Sequence, residues 1–241
     1  MRTVIHAAIS RSGIGKVICL DNIRFERRFS VRQYKIDKPI GGICGYNLGM
    51  HPPHHPPELY ISVDVETAGP NPSQYSLLSI GACTVDERRL TFYVEIKPVN
   101  QAITPQAWAI HGLDLTALAE MGMPPEEAML AFEKWVLEVT PAGYQPVFVG
   151  FNAPFDWMFV NDYFHRYLGR NPFGHTALDI KALYMGARGV PWSETTKRHL
   201  SSRYLDGRQI SHNALNDALD QAQIFERLLA EIEAARGQSR G

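Results

Sequence analysis

Cysteine is scarce in this chain: Cys19, Cys44 and Cys83 are the only three among 241 residues. Three scattered thiols cannot build a disulfide framework or a cysteine-rich zinc site, so a reducing, cytoplasmic setting is expected. Long apolar runs are also missing. None approaches the roughly 20 residues that cross a bilayer, which excludes a membrane-spanning helix of ordinary composition. No internal repeat is present, and a solenoid or propeller is excluded with it. A complete phosphate loop is lacking too: Ser12–Val17 (SGIGKV) has valine where the motif needs a hydroxyl. There is almost no net charge, −1 in total, so bulk attraction of a long polyanion is excluded.

That near-neutrality hides an asymmetry. Residues 1–57 hold nine Lys/Arg and three Asp/Glu, a balance of +6, whereas residues 58–241 hold fifteen and twenty-two, a balance of −7. An acidic body can hold nucleic acid only through local contacts or through bound cations. The first 57 residues also differ in kind. They combine short apolar pieces, a basic stretch from Arg24 to Lys35, a glycine cluster and the run HPPHHPP. They are expected to form a poorly structured N-terminal extension, with 58–241 as the domain that does the work. Arginine and lysine without acid over the first twenty residues faintly resemble a transit peptide. A misassigned start, with Met50 as initiator, is the preferred reading. His51, His54 and His55 could hold a transition metal weakly, and a linker is the plainer reading of that run.

Order begins at Leu59. LYISVDVE reads as a buried strand, and YSLLSIGACTVD and RLTFYVEIKP follow as two more, an antiparallel meander. TPQAWAIHG is a helix with a threonine cap and Pro105 in its first turn. MPPEEAMLAFEKWVLEVTP is an amphipathic helix with Met129, Phe132, Val136 and Val139 on its apolar stripe. PVFVG is a short strand, and NAPFDWMFVNDYFHRYLG a helix that starts at Pro154 and stops at Gly169. HTALDIKALYMGARG is a strand running into a helix, and SETTKRHLSSRYL a further short helix. The closing helix ALNDALDQAQIFERLLAEIEAAR is expected to turn Leu215, Leu219, Ala222, Phe225 and Leu229 inward. Three strands followed by alternating helices and strands imply an α/β fold, a mixed sheet flanked by helices.

The first strand carries the chemical question. Asp64 and Glu66 are two residues apart, and a strand has a period of two, so both carboxylates share one face. Like charges side by side on a core strand are costly without a cation between them. The chain supplies two further acids. Asp156 lies in the first turn of a helix, where a carboxylate also has an innocent role with the helix dipole. Asp217 lies in the closing helix five residues after His212, which by itself reads as a cap or surface histidine. Four converging carboxylates call for a hard divalent cation, with Mg²⁺ the best fit and Mn²⁺ able to substitute. A two-ion site suits in-line phosphoryl displacement. His212 can then take a proton from the attacking water, because its ordinary pKa lies near working pH.

The stretches SVDVETAG, GFNAPFDW and HNALNDA, in this order, resemble the three motifs of the DEDDh family of 3′–5′ exonucleases. That family includes the polymerase III proofreading subunit, ribonuclease T and oligoribonuclease, and AWAIHGL resembles its I-H-G segment. The resemblance spans Leu59 to about Ala235. It implies a ribonuclease H-like fold. It also implies metal binding by Asp64, Glu66, Asp156 and Asp217, His212 as general base, and release of nucleoside 5′-monophosphates from single-stranded DNA or RNA 3′ ends. Thr67 and Ala68 match the turn that meets the terminal nucleotide. Phe155 and Trp108, each beside a motif, are the aromatics best placed to stack on a base. Two positions depart from the pattern: Phe151 stands where a histidine is common, and Ser79 where Glu or Gln is common. Arg198, Arg203 and Arg208 read as a solvated face rather than phosphate ligands, and His111 and His175 as structural. The expected partners are single-stranded 3′ ends, with a homodimer as a further possibility. The short tail after the closing helix favours a free-standing enzyme over a polymerase-docked one, and the presence of all five chemical residues argues against a catalytically silent module.

Overall fold

Strand β1 (Glu58–Thr67) sorts its side chains by face. Ile61, Val63 and Val65 join one apolar cluster with the following helices. Tyr60, on the alternate face, packs into another cluster, and Ser62 on that face donates to the Ala218 carbonyl at 2.8 Å. Such two-sided burial fits the centre of a sheet covered by helices on both sides. The computed structural model describes residues 56–206 and 212–238. Almost all of the extension expected over 1–57 therefore lies outside the described residues, as do Met50, His51, His54, His55 and Arg208.

Around β1 the strands β2 (Leu77–Thr84), β3 (Thr91–Glu95), β4 (Gln145–Gly150) and β5 (Ala177–Asp179) form one sheet in the order β3-β2-β1-β4-β5. β1–β2 and β2–β3 are antiparallel, whereas β1–β4 and β4–β5 are parallel. The expected meander and mixed sheet are thus both present. The helices are α1 (Pro105–His111), α2 (Leu115–Met121), α3 (Pro125–Val139), α4 (Ala153–Leu168), α5 (Ile180–Arg188), α6 (Lys197–Tyr204) and α7 (Ala214–Gln238). A single 3₁₀ turn at Trp192–Glu194 precedes α6.

Local chemistry accounts for most boundaries. The Thr104 hydroxyl accepts from the Ala107 N–H and Pro105 opens α1. The expected stripe of α3, Met129, Phe132, Val136 and Val139, is buried. Phe132 stacks on Phe92, Trp135 and Phe164, with ring centroids 5.0 to 6.1 Å apart. Burying such rings stabilises by roughly 2 kcal/mol each, which fastens the α3–α4 layer to one face of β1.

Two expectations need correction. α2 was not expected. It is held by the Asp114 carboxylate accepting from the Thr116 N–H and buries Leu118 alone, so it has no stripe to read. The inner face of α7 is also rotated. Ala214, Ala218, Gln221, Ile224 and Leu228 are buried with Ala222 and Phe225, whereas Leu215, Leu219 and Leu229 are half-buried. Small residues let this helix lie closer to the sheet than large aliphatics would.

Candidate active site

The site forms where β1 outruns β4. Strand pairing between the two ends at Ser62 and Val149, while β1 continues to Thr67, past Asp64 and Glu66. In open α/β sheets, ligands collect beyond the carboxyl ends of parallel strands. The orphaned side of β1 is taken by an acid: Asp156, in the first turn of α4, accepts from the Val65 N–H through Oδ1 at 3.1 Å. Asp156 is buried. Its helix begins from Asn152 in left-handed backbone at φ 64°, a conformation asparagine tolerates.

On the face of β1 that carries Asp64, the opposite residue on β2 is Gly81. A Cβ on Gly81 would sit 2.2 Å from the backbone of Ala214 and Leu215. Glycine there is what lets the first turn of α7 lie on the sheet beside Asp64. Ser62 and the Cys83 thiol both donate to the Ala218 carbonyl and reinforce the dock. Asp217 is thereby brought to the strand pair. Carboxylate oxygens of Asp64, Glu66 and Asp217 lie within 4.8 Å of one another.

Gln221, one turn beyond Asp217, braces the cluster. Its Nε2 donates to Asp64 Oδ1, and its Oε1 accepts from the Phe151 N–H at 3.0 Å. A single amide thus ties β1, the β4–α4 turn and α7 together. Lys197 Nζ lies 3.1 Å from Asp217 Oδ2. Neither residue stood out in the sequence. A lone glutamine or lysine carries no spacing signal, and only the docking of α6 and α7 reveals them.

The electrostatics are those of a crowded acid site. Burial, and next to it the Asp217 charge, push Asp64 up to about 7 against the pull of Lys197 and Gln221. Burial, then the charges of Asp64 and Asp217, push Glu66 up to about 8. Asp156 is raised well above the carboxylate range, chiefly by burial and then by Asp64. The donor set is all oxygen, and Asp217 Oδ1 is buried with no hydrogen-bond partner. Such residues fit a hard divalent cation.

Beside the acids lies a cavity of about 420 Å³ lined by Glu66, Thr67, Gly69, Ala107, Ile110, His111 and Phe155 among others. The Thr67 hydroxyl donates to the Gly69 carbonyl at 2.9 Å. His111 has a structural role, as expected: its Nδ1 accepts from the Leu113 N–H at 3.0 Å. That leaves Nε2 to donate to the Thr67 carbonyl at 3.2 Å, and burial lowers its pKa.

Not every expected residue lies here. Phe155 lines the cavity, but Trp108 is 60 % exposed on α1. Helical phase explains this, because Ala107, Ile110 and His111 already occupy the cavity side. Ala68 is fully buried against Leu78 and Leu118, so only its backbone lies near the turn. Arg203 is paired with Glu231 at 3.0 Å, as a surface residue should be. His175 is exposed. His212 stands two residues before α7, exposed and in left-handed backbone at φ 49°. It is outside the group of three carboxylates.

Comparison with known proteins agrees with this architecture. A family model described as an exonuclease, RNase_T, matches residues 61–225. The chain is 44% identical over 168 residues to the 3′-5′ DNA exonuclease Cap18 of Escherichia coli, covering 70% of this chain and 90% of that one. It is 27% identical over 197 residues to ribonuclease T of Salmonella typhimurium, covering 77% and 87%. Among solved structures it resembles the nuclease domain of 3′hExo, a DEDDh family member, bound to rAMP. That match has a TM-score of 0.61 at 17% identity and covers 72% of this chain and 92% of that one. It also resembles Escherichia coli exonuclease I in complex with a dT13 oligonucleotide, with a TM-score of 0.58 at 16% identity, covering 75% and 43%. Fold and relatives together define a 3′–5′ exonuclease of ribonuclease H-like architecture. The chain belongs to the exonuclease family that the RNase_T model describes.

Proposed function

We propose that this enzyme shortens single-stranded DNA from its 3′ end, releasing nucleoside 5′-monophosphates, with two Mg²⁺ held by Asp64, Glu66, Asp156 and Asp217. The observation that carries the reading is the convergence of buried and half-buried carboxylates, one oxygen of Asp217 unpartnered, at the mouth of a nucleotide-sized cavity. DNA is preferred as substrate because the 44% relative is a DNA exonuclease. RNA is the second reading, favoured by the more distant likeness to ribonuclease T. Mn²⁺ is the expected substitute.

Bound cations would supply charge neutralisation for the four acids and for the reacting phosphate. The remaining work falls to the chain. Asp64 and Glu66 aim from a strand fixed on both sides. Asp156 holds the Val65 amide and so the strand end. The cavity wall of Ile110 and Phe155 offers an apolar surface for the terminal base, and the Thr67 turn, held by His111, borders its sugar. His212, from the loop before α7, takes the proton of the attacking water. Its exposed position lets it approach a bound 3′ end.

The domain division at residue 57 is part of this proposal. So are a cytoplasmic location, consistent with three scattered cysteines, and action as a free-standing enzyme or homodimer rather than as a polymerase subunit. Sedimentation, and pull-down with and without residues 1–57, distinguish these states. The test of function is a matched panel of 5′-labelled single-stranded DNA, single-stranded RNA and dinucleotides with Mg²⁺. The expected outcome is stepwise 3′ shortening, fastest on DNA. RNA cleaved faster than DNA overturns the substrate assignment, and no cleavage of any member overturns the reading.

A further inference from the structure

The acid cluster contains a cation of its own. Lys197 Nζ sits 3.1 Å from Asp217 Oδ2, with its side chain 21% exposed. Its charge also acts on Asp64, Glu66 and Asp156. The position is otherwise unfavourable. Lys197 is the first residue of α6, directly after the Thr196 cap, where the helix presents its positive end and repels a cation. Lysines belong at the opposite end of a helix. What offsets the cost here is the carboxylate group on β1, α4 and α7.

Asp217 is divided between two roles. Oδ2 faces the lysine, while Oδ1 is buried without a partner. One carboxylate therefore has one oxygen satisfied by a tethered ammonium and one awaiting a donor or a cation.

We propose that Lys197 is a tethered counter-ion that holds Asp217 in the metal-free protein and competes with the divalent cation for it, so that Lys197 sets the metal affinity of the site. This rests on the metal-binding reading above. The ammonium is a compact charge on a flexible four-carbon stem. It can leave Asp217 without disturbing α6, and its partial exposure gives it somewhere to go. While seated, it spares the protein an uncompensated acid cluster. The same contact weakens the hold on a cation, through occupancy of Asp217 and through like-charge repulsion.

The experiment is calorimetric titration of the full chain with Mn²⁺ alone at pH 8, for wild type, Lys197→Met, Lys197→Gln and Lys197→Arg, with thermal melting in chelator and in saturating Mn²⁺. Removing the charge should raise Mn²⁺ affinity by up to about five-fold, the upper range for a partly screened ion pair. The Met and Gln variants should melt below wild type in chelator and close that gap in saturating Mn²⁺. Lys197→Arg keeps the charge and should stay near wild type on both measures. Mn²⁺ affinity unchanged or weaker in the Met and Gln variants overturns the proposal, because the lysine would then be neutral or supportive toward the metal. Asp64→Asn separates the two levels of the argument. If wild type binds no more Mn²⁺ than Asp64→Asn, the metal reading itself fails. If wild type binds it and Lys197→Met binds it equally, only the role of Lys197 fails.

Discussion

The two faces of β1 make opposite use of one ten-residue strand. One face places Ile61, Val63 and Val65 against the α3–α4 layer, all buried. The other places Ser62, Asp64 and Glu66 toward α7, where polar groups meet carbonyls, an amide and one ammonium. The apolar face fixes the strand, and the polar face uses that rigidity to hold like charges closer than solvent would allow. The site can hold crowded acids because the strand that carries them is packed on its other face. Variants on the two faces should therefore fail in different ways.

The largest effect is expected where the faces depend on one close approach. Gly81→Ala would drive a Cβ into the Ala214–Leu215 backbone, and backbone cannot turn aside as a side chain can. Nuclease activity should fall to background together with Mn²⁺ binding, while circular dichroism still reports a folded sheet. Retained activity would mean that α7 docks by another route.

His212→Ala should slow nucleotide release by roughly 10²–10⁴-fold, the usual share of a general base, and leave Mn²⁺ affinity unchanged. A loss of Mn²⁺ instead would reassign the histidine as a ligand.

On the apolar face, Ile61→Ala should cost about 2–5 kcal/mol by denaturant unfolding. Its Mn²⁺ affinity, measured where the variant is still folded, should match wild type. A change in affinity without a change in stability would break the division of labour between the faces.

The smallest effect is a pH dependence confined to the polar face. Asp64 and Glu66 are raised to about 7 and 8 by burial and by neighbouring acids. The folded state therefore binds more protons than the unfolded chain between about pH 4 and 8, and metal-free stability should fall as pH rises through that window. Saturating Mg²⁺ should flatten the slope, since bound cations neutralise the ionised acids. Melting temperatures in chelator that rise from pH 5 to pH 8 would contradict the shifts.

Much of this was legible in the sequence because it depends on period. Alternation along β1 put Asp64 and Glu66 on one face, and the order of the motifs around Asp156 and Asp217 carried the family and its fold. Less legible was whatever depends on packing between distant segments. Gln221 reads as one polar residue in a helix, yet it joins Asp64 to the Phe151 amide. Lys197 sits in the charged stretch TTKRH with nothing to single it out. The phase of α7 was set by Ala214, Ala218 and the missing Cβ of Gly81 rather than by its leucines, and a reading that weights large aliphatics turns that helix the wrong way. Trp108 was favoured for its ring and its place beside a motif, but one residue's rotation on α1 carries it into solvent.

The central claim is that the polar face of β1 is a cation mount. Its most direct measurement is the Mn²⁺ stoichiometry of the wild-type protein at pH 8, without nucleic acid, beside Asp64→Asn. The account predicts two ions on wild type and a loss of at least one on the variant, with the variant's metal-free melting temperature raised by the removal of one crowded charge. Identical isotherms for the two proteins would contradict it.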